Sequence, residues 1–405
     1  MKTAKGSKRV ATALTAAALI SAAAGVFSTG SAGADPAQYS AFVGVGSDTT
    51  QDVLNALAGK SNGVLFTPVQ SSAATGGVQV ISFDATPPPG VGDTCITPKL
   101  GAPTFTRPNG SSAGQRALSR AIDGTGYGGT SASPIFCAKA DVSGQIDFGR
   151  TSSLDSTSGS QLAYVPFARD ALTFAYYRAA GSPVTELTAQ QLNDIHKIGP
   201  QTINGVKIVA CGIQANSGTY TQWRTAVGYT EAEENTAASI CRGVVNTTSV
   251  PGSQANGRLQ ESNGVQLKQA GDLVAALAGE SGTQVIIGYS AGAFVSRQNG
   301  FAIPAAPTGV SLGTITGVGA AVTGTAPNLA PNSAYYANTT WGRTVYNMLP
   351  SSVIDGAGNL ALKDLFVGSS SKICQATATI TAMGFLADAA CGDTTIRRGL
   401  RSGDL

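Results

Sequence analysis

Apolar runs that stop at small polar residues and resume with helical spacing recur along this chain. The first, "YSAFVGVGSDTTQDVLNALAG" (39–59), predicts a strand, a turn at Ser47-Asp48-Thr49-Thr50, and a helix with Val53, Leu54 and Leu57 on its apolar side. The second lies in "RPNGSSAGQRALSRAIDG". There Gly110-Ser111-Ser112-Ala113-Gly114 opens a helix whose apolar side carries Ala117, Leu118 and Ile122. The third follows the strand "VKIVACG", where Ser217-Gly218-Thr219-Tyr220 opens another helix. Between them, "GQIDFGRTSSLDS" predicts a short strand running into Arg150-Thr151-Ser152-Ser153, a cation beside three hydroxyls.

The remaining pattern is mixed α and β. "QLAYVPFARDALTFAYYR" predicts a long apolar strand pair interrupted at Arg169-Asp170. "LTAQQLNDIHKIG" predicts an amphipathic helix with Leu187, Leu192 and Ile195 buried and His196 on its surface. "AGDLVAALAGESG" predicts a helix that stops at glycine, and "TQVIIGYSAGAFV" (283–295) a strand. Residues 61–106 alternate apolar patches with irregular loop. The tail from 301 is β-rich, then helical around "LKDLFV" and before "MGF". No repeat of 20–50 residues is present.

Composition narrows the class. Lys2, Lys5, Lys8 and Arg9 precede an apolar run and Ala32-Gly33-Ala34, so residues 1–34 read as a secretory signal peptide. No Cys at the cleavage site encodes a lipid anchor, and no later apolar run is long enough to span a membrane. Without those four basic residues, 22 Lys/Arg face 23 Asp/Glu, a net charge of −1. That removes the argument for nucleic acid or an acidic membrane surface. The expected mature chain is a secreted monomer. At about 371 residues it exceeds one core, which predicts two lobes.

Six cysteines in an oxidising compartment predict three disulfides; six allow fifteen pairings. Sequential pairing closes the shortest loops: Cys95–Cys137, Cys211–Cys241 and Cys374–Cys391. With a single His and no C-x-x-C, no metal site is expected. No cofactor is expected either.

Two chemistries compete. Gly288-Tyr289-Ser290-Ala291-Gly292 matches the G-x-S-x-G nucleophile elbow of serine hydrolases. A serine nucleophile needs a base, usually His, and His196 lies before Ser290, the reverse of the α/β-hydrolase order. The expectation is therefore no enzyme. The other chemistry is anion binding. Free N–H groups and the dipole at a helix start favour negative charge. One such turn is an ordinary cap; three, with Arg150 among hydroxyls, suggest a converging oxyanion site.

The order of these segments resembles the phosphate-binding proteins of ABC uptake systems, within the type 2 periplasmic-binding-protein superfamily. "GSDTTQDV" and "GSSAGQRAL" look like that family's first two ligand loops, "IDFGRTSS" like its D-F-G-x-S-D signature, and "NSGTYTQW" like its S-G-T helix start. "YVPFARDALTFAYY" and "IIGYSAGAF" resemble the two strands that cross between lobes. The resemblance implies a two-lobed α/β fold, with lobe one at 38–165 plus 290–405 and lobe two at 166–289. It implies a ligand set of Ser47, Asp48, Thr49, Thr50, Ser111, Ser112, Thr151, Ser152, Ser217, Gly218 and Thr219, with phosphate as ligand and an ABC permease as partner. Two positions depart from the pattern. Ser152 stands where the family has an Asp acceptor, and Gln214 about where it has an Arg. Arg150 is the expected replacement cation, and Asp48 or Asp170 the replacement acceptor. A secreted protein of this fold binding another small molecule, a carbohydrate or a protein is the alternative.

Overall fold

The structure is a computed structural model that describes residues 41–87, 94–129 and 137–403. The expected signal peptide lies outside them. Eight strands form the spine: β1 Phe42–Gly46, β2 Val80–Ser82, β3 Phe148–Thr151, β4 Leu162–Arg178, β5 Gln201–Ile203, β6 Val206–Ala210, β7 Gln284–Ser290 and β8 Gly342–Pro350. Six helices flank the site: α1 Gln51–Leu57, α2 Ser111–Asp123, α3 Ala189–Lys197, α4 Gly218–Val227, α5 Gly264–Ala275 and α6 Ala291–Gln298.

The sheet runs β5-β6-β7-β4-β8-β3-β1-β2. Strands β1, β2 and β3 are mutually parallel, as are β6 and β7. Strand β8 is antiparallel to both β3 and β4. The predicted interruption at Arg169-Asp170 is absent: β4 is one strand of 17 residues. Its first part, Leu162–Ala171, pairs with β8, and its last part, Leu172–Arg178, pairs with β7. One strand therefore belongs to two bodies.

Each body has its own core. Val53, Leu54, Phe148, Val165, Val345 and Leu349 pack on one face of the first sheet. Val43, Val45, Leu118, Tyr164 and Met348 pack on the other. The even spacing of Val43 and Val45 puts both on one face of β1. Gly44 lies against the Phe148 ring, where a Cβ would meet ring carbon at 2.1 Å, so only glycine lets that ring close the sheet. Lobe two is built on Phe174, Leu192, Trp223, Leu267, Ile286 and Tyr289. The core changes between Ala168 and Ala171, a few residues past the expected boundary.

Two further expectations are corrected. Residues 306–341, expected in lobe one, send Ala306, Val310, Ile315, Tyr335 and Trp341 into the second core. Ser311 and Leu312 pair with β4 at Tyr176 and Ala175. Residues 283–295 are not one strand. The strand ends at Ser290 and α6 begins at Ala291, because the Ser290 hydroxyl accepts from Ala293 N and caps the helix.

The cysteines pair sequentially as expected: Cys95–Cys137, Cys211–Cys241 and Cys374–Cys391, with Cα separations of 6.0, 5.3 and 5.7 Å. Among the described residues no helix is long and apolar enough to cross a membrane.

Candidate functional site

Four turns from both lobes meet at one buried point. The β1–α1 turn brings Ser47 and Thr49, the α2 start brings Ser111, the residues after β3 bring Ser152 and Ser153, and the α4 start brings Ser217, Gly218 and Thr219. Ser47 Oγ donates to Ser152 Oγ at 3.3 Å, and Ser152 Oγ lies 3.4 Å from Ser111 Oγ. Ser152 N donates to Ser111 Oγ at 3.0 Å. Across the lobes, Thr49 Oγ1 is 2.9 Å from Thr219 Oγ1. Ser217 caps α4 through Tyr220 N at 3.0 Å. A Cβ on Gly218 would lie 2.4 Å from Ser111 Oγ and 2.5 Å from Ser152 Oγ, so the hydroxyls converge on this glycine.

The backbone that presents these groups depends on two glycines. Gly46 has φ 122°, and Gly110 has φ 101° with its Cα facing Asn216 O of lobe two. A side chain is strained at both, and at Gly110 it would also hold the lobes apart.

The cation in the site is Arg343, on β8. Its Nη2 donates to Thr219 Oγ1 at 2.9 Å and Thr49 Oγ1 at 3.3 Å, and its Nη1 to Ser152 O at 3.3 Å. Asp170 holds it from behind, accepting from Nε at 3.0 Å and Nη2 at 2.7 Å. Asp170 also accepts from Ser290 Oγ at 2.8 Å and Gly292 N at 3.0 Å. Four donors thus surround this buried carboxylate, which anchors Arg343 in place.

The acidic partner that joins this cluster is Glu261, in the turn before α5. It accepts from Thr49 N at 2.7 Å, from Thr49 Oγ1 at 2.9 Å and from Ser217 Oγ. Burial, and then Asp48, push its carboxyl above the usual carboxylate range.

Several expected ligands point elsewhere. Arg150 is fully buried behind the first turn, and its guanidinium donates to Ser82 Oγ at 2.6 Å and to the carbonyls of Gly44, Gly46 and Ser47 at 3.3 Å. It holds the loop and does not reach the hydroxyl cluster. Burial lowers it to about 10. Asp48 is taken by Arg297 Nη2 at 3.0 Å and Gln260 Nε2 at 2.7 Å. Asp170 stands one layer behind Arg343. Thr151 Oγ1 donates to Ser153 O at 2.6 Å, Ser112 Oγ accepts from Arg401 at 3.0 Å, and Thr50 Oγ1 is buried without a hydrogen-bond partner. Nothing in the sequence pattern singled out Arg343 or Glu261. Arg343 sits inside "WGRTVYNML" and Glu261 inside "LQESNG", where neither forms a local motif.

Ser290 and His196 do not form a catalytic pair. Ser290 is spent on its cap and on Asp170. His196 is buried, against the surface position expected, because it stacks on Tyr229 with ring centroids 4.5 Å apart. Its Nε2 accepts from Trp223 Nε1 at 3.1 Å inside lobe two. Among the described residues no group of three His, Cys, Asp or Glu side chains is placed to hold a metal.

Comparison with known proteins finds likeness in fold. The chain is similar to an ABC-type phosphate transport receptor from Vibrio cholerae, at 17% identity over 86% of this chain and 100% of that one, with a TM-score of 0.46. It is similar to a putative phosphate ABC transporter substrate-binding protein with bound phosphate from Clostridium perfringens, at 13% identity over 86% and 99%, with a TM-score of 0.44. A phosphate-binding protein from Stenotrophomonas maltophilia is 12% identical over 87% and 91%, with a TM-score of 0.41. No family model and no curated protein matches the sequence.

Proposed function

We propose that this protein captures a small oxyanion, phosphate first, between its lobes. The observation that carries this reading is the meeting of Ser47, Thr49, Ser111, Ser152, Gly218 and Thr219 with the Arg343 guanidinium. The hydroxyls come from both lobes and bond chiefly to one another. A tetrahedral oxyanion offers several charged acceptors to the same donors, and hydrogen bonds to a charged acceptor are about twice as strong as neutral ones. Arg343 supplies the planar cation, oriented by Asp170. On this reading an ABC permease is the partner, and residues 1–34, read as a signal peptide, support a site outside the cytoplasm.

Calorimetric titration at neutral pH with phosphate, arsenate, sulfate and molybdate tests this. Phosphate is expected to bind, and Arg343→Lys, which keeps the charge but loses the planar fork, to weaken it at least tenfold, about 1.4 kcal/mol. Absence of binding for all four anions rules the reading out.

A further inference from the structure

Glu261 does something the oxyanion reading does not require. It belongs to lobe two, is fully buried, and hydrogen-bonds to lobe one through Thr49. One oxygen takes the main-chain N–H and hydroxyl of Thr49, and the other takes the hydroxyl of Ser217. A free main-chain N–H and two hydroxyls are the donors a small anion would use. The carboxylate is therefore a negative group already seated among them, bridging the lobes.

Its surroundings fix it there. Glu261 N donates to Gln214 Oε1 within lobe two. The neighbouring Gln260 Nε2 reaches Asp48 Oδ2 at 2.7 Å and Asn109 Oδ1 at 3.1 Å in lobe one, and Arg297 donates to Ser262 O. So the run 260–262 crosses the cleft at three successive residues. The charges acting on the Glu261 carboxylate are Asp48, which repels it, and Arg343, which attracts it.

We infer that Glu261 is a built-in anion that latches the lobes through Thr49 and Ser217, so that an incoming oxyanion must take these donors from it. The second half rests on the proposed oxyanion function; the latch itself does not. Two anions cannot share one small set of donors without repulsion, so removing the carboxylate both frees the lobes and vacates the donors.

The test compares the full chain with Glu261→Ala and with Glu261→Asp, which keeps the charge but shortens the reach. Circular dichroism and melting confirm folding of each. In phosphate-free buffer both variants are expected to exchange the Thr49 amide at least tenfold faster, with a larger radius of gyration by X-ray scattering. Glu261→Ala is also expected to bind phosphate at least tenfold more tightly. Unchanged exchange and size in both variants overturn the latch. An opened Glu261→Ala variant with equal or weaker phosphate affinity overturns the competition. If Glu261→Ala opens while neither it nor the parent binds any of the four anions, the latch stands and the oxyanion function falls.

Discussion

At Gly218 the backbone φ is an ordinary one, so an alanine costs little strain there. Its methyl group would nevertheless occupy the point where Ser111 Oγ and Ser152 Oγ converge, at 2.4 and 2.5 Å. Short serine side chains can rotate away, and the donors then no longer aim at one centre. Gly218→Ala is therefore expected to lose phosphate binding by at least a hundredfold while melting within a few degrees of the parent. Titration and a thermal melt check both halves, and a variant that still binds normally would place the ligand elsewhere. The contrast with Arg343 is instructive. Gly218 was legible because Ser-Gly-Thr before an apolar helical pattern marks a helix start. Arg343 was not, because its partners Thr49, Ser152, Asp170 and Thr219 are brought together only by strand pairing across the whole chain.

The elements explain why Arg150 misled and Arg343 did not announce itself. Strand β3 pairs with β1 in the register Gly46↔Arg150, which directs the Arg150 side chain under the β1–α1 turn. There it donates to three carbonyls, of which Gly44 O also accepts from Phe83 N. Removing it takes a donor from each, and a buried acceptor left unpaired costs about 1–3 kcal/mol. Arg150→Ala is thus expected to lose on the order of 3 kcal/mol in urea unfolding, with phosphate affinity changed through loop order alone. Full stability combined with abolished binding would return Arg150 to the site. The strand–turn–helix units themselves followed from local pattern, since each needs only an apolar run, a small polar turn and a helical stripe. What pattern could not supply was the continuity of β4 through Arg169-Asp170. Asp170 is tolerated inside a strand because Arg343, Ser290 and Gly292 satisfy it. The same long-range pairing hides from local reading that residues 306–341 cover lobe two.

For the whole molecule, buried ionisable groups set a pH dependence with two opposing signs. Burial holds His196 down at about 3, against an ordinary value near 6.5. Its contribution is present above about 6.5 and is lost as the pH falls toward about 3, because the unfolded chain takes up the proton first. Asp84, pushed up to about 7 by burial and then by Asp52, acts oppositely: below about 7 the folded state binds the extra proton and gains stability. The two partly cancel, so the difference between parent and His196→Gln isolates the histidine. The parent is expected to lose stability relative to that variant between pH 6.5 and 4 in urea titrations; parallel curves would contradict it. The connectivity of the first sheet has a further consequence, for the order in which the chain assembles. Strand β8 sits between β3 and β4, yet Gly342–Pro350 follows them only after all of lobe two has been made. A chain emerging from its amino end therefore carries β3 and half of β4 as open edges from Arg178 until Gly342–Pro350 is made. Such edges invite pairing with other chains, so this protein has most need of a chaperone before Gly342–Pro350 appears.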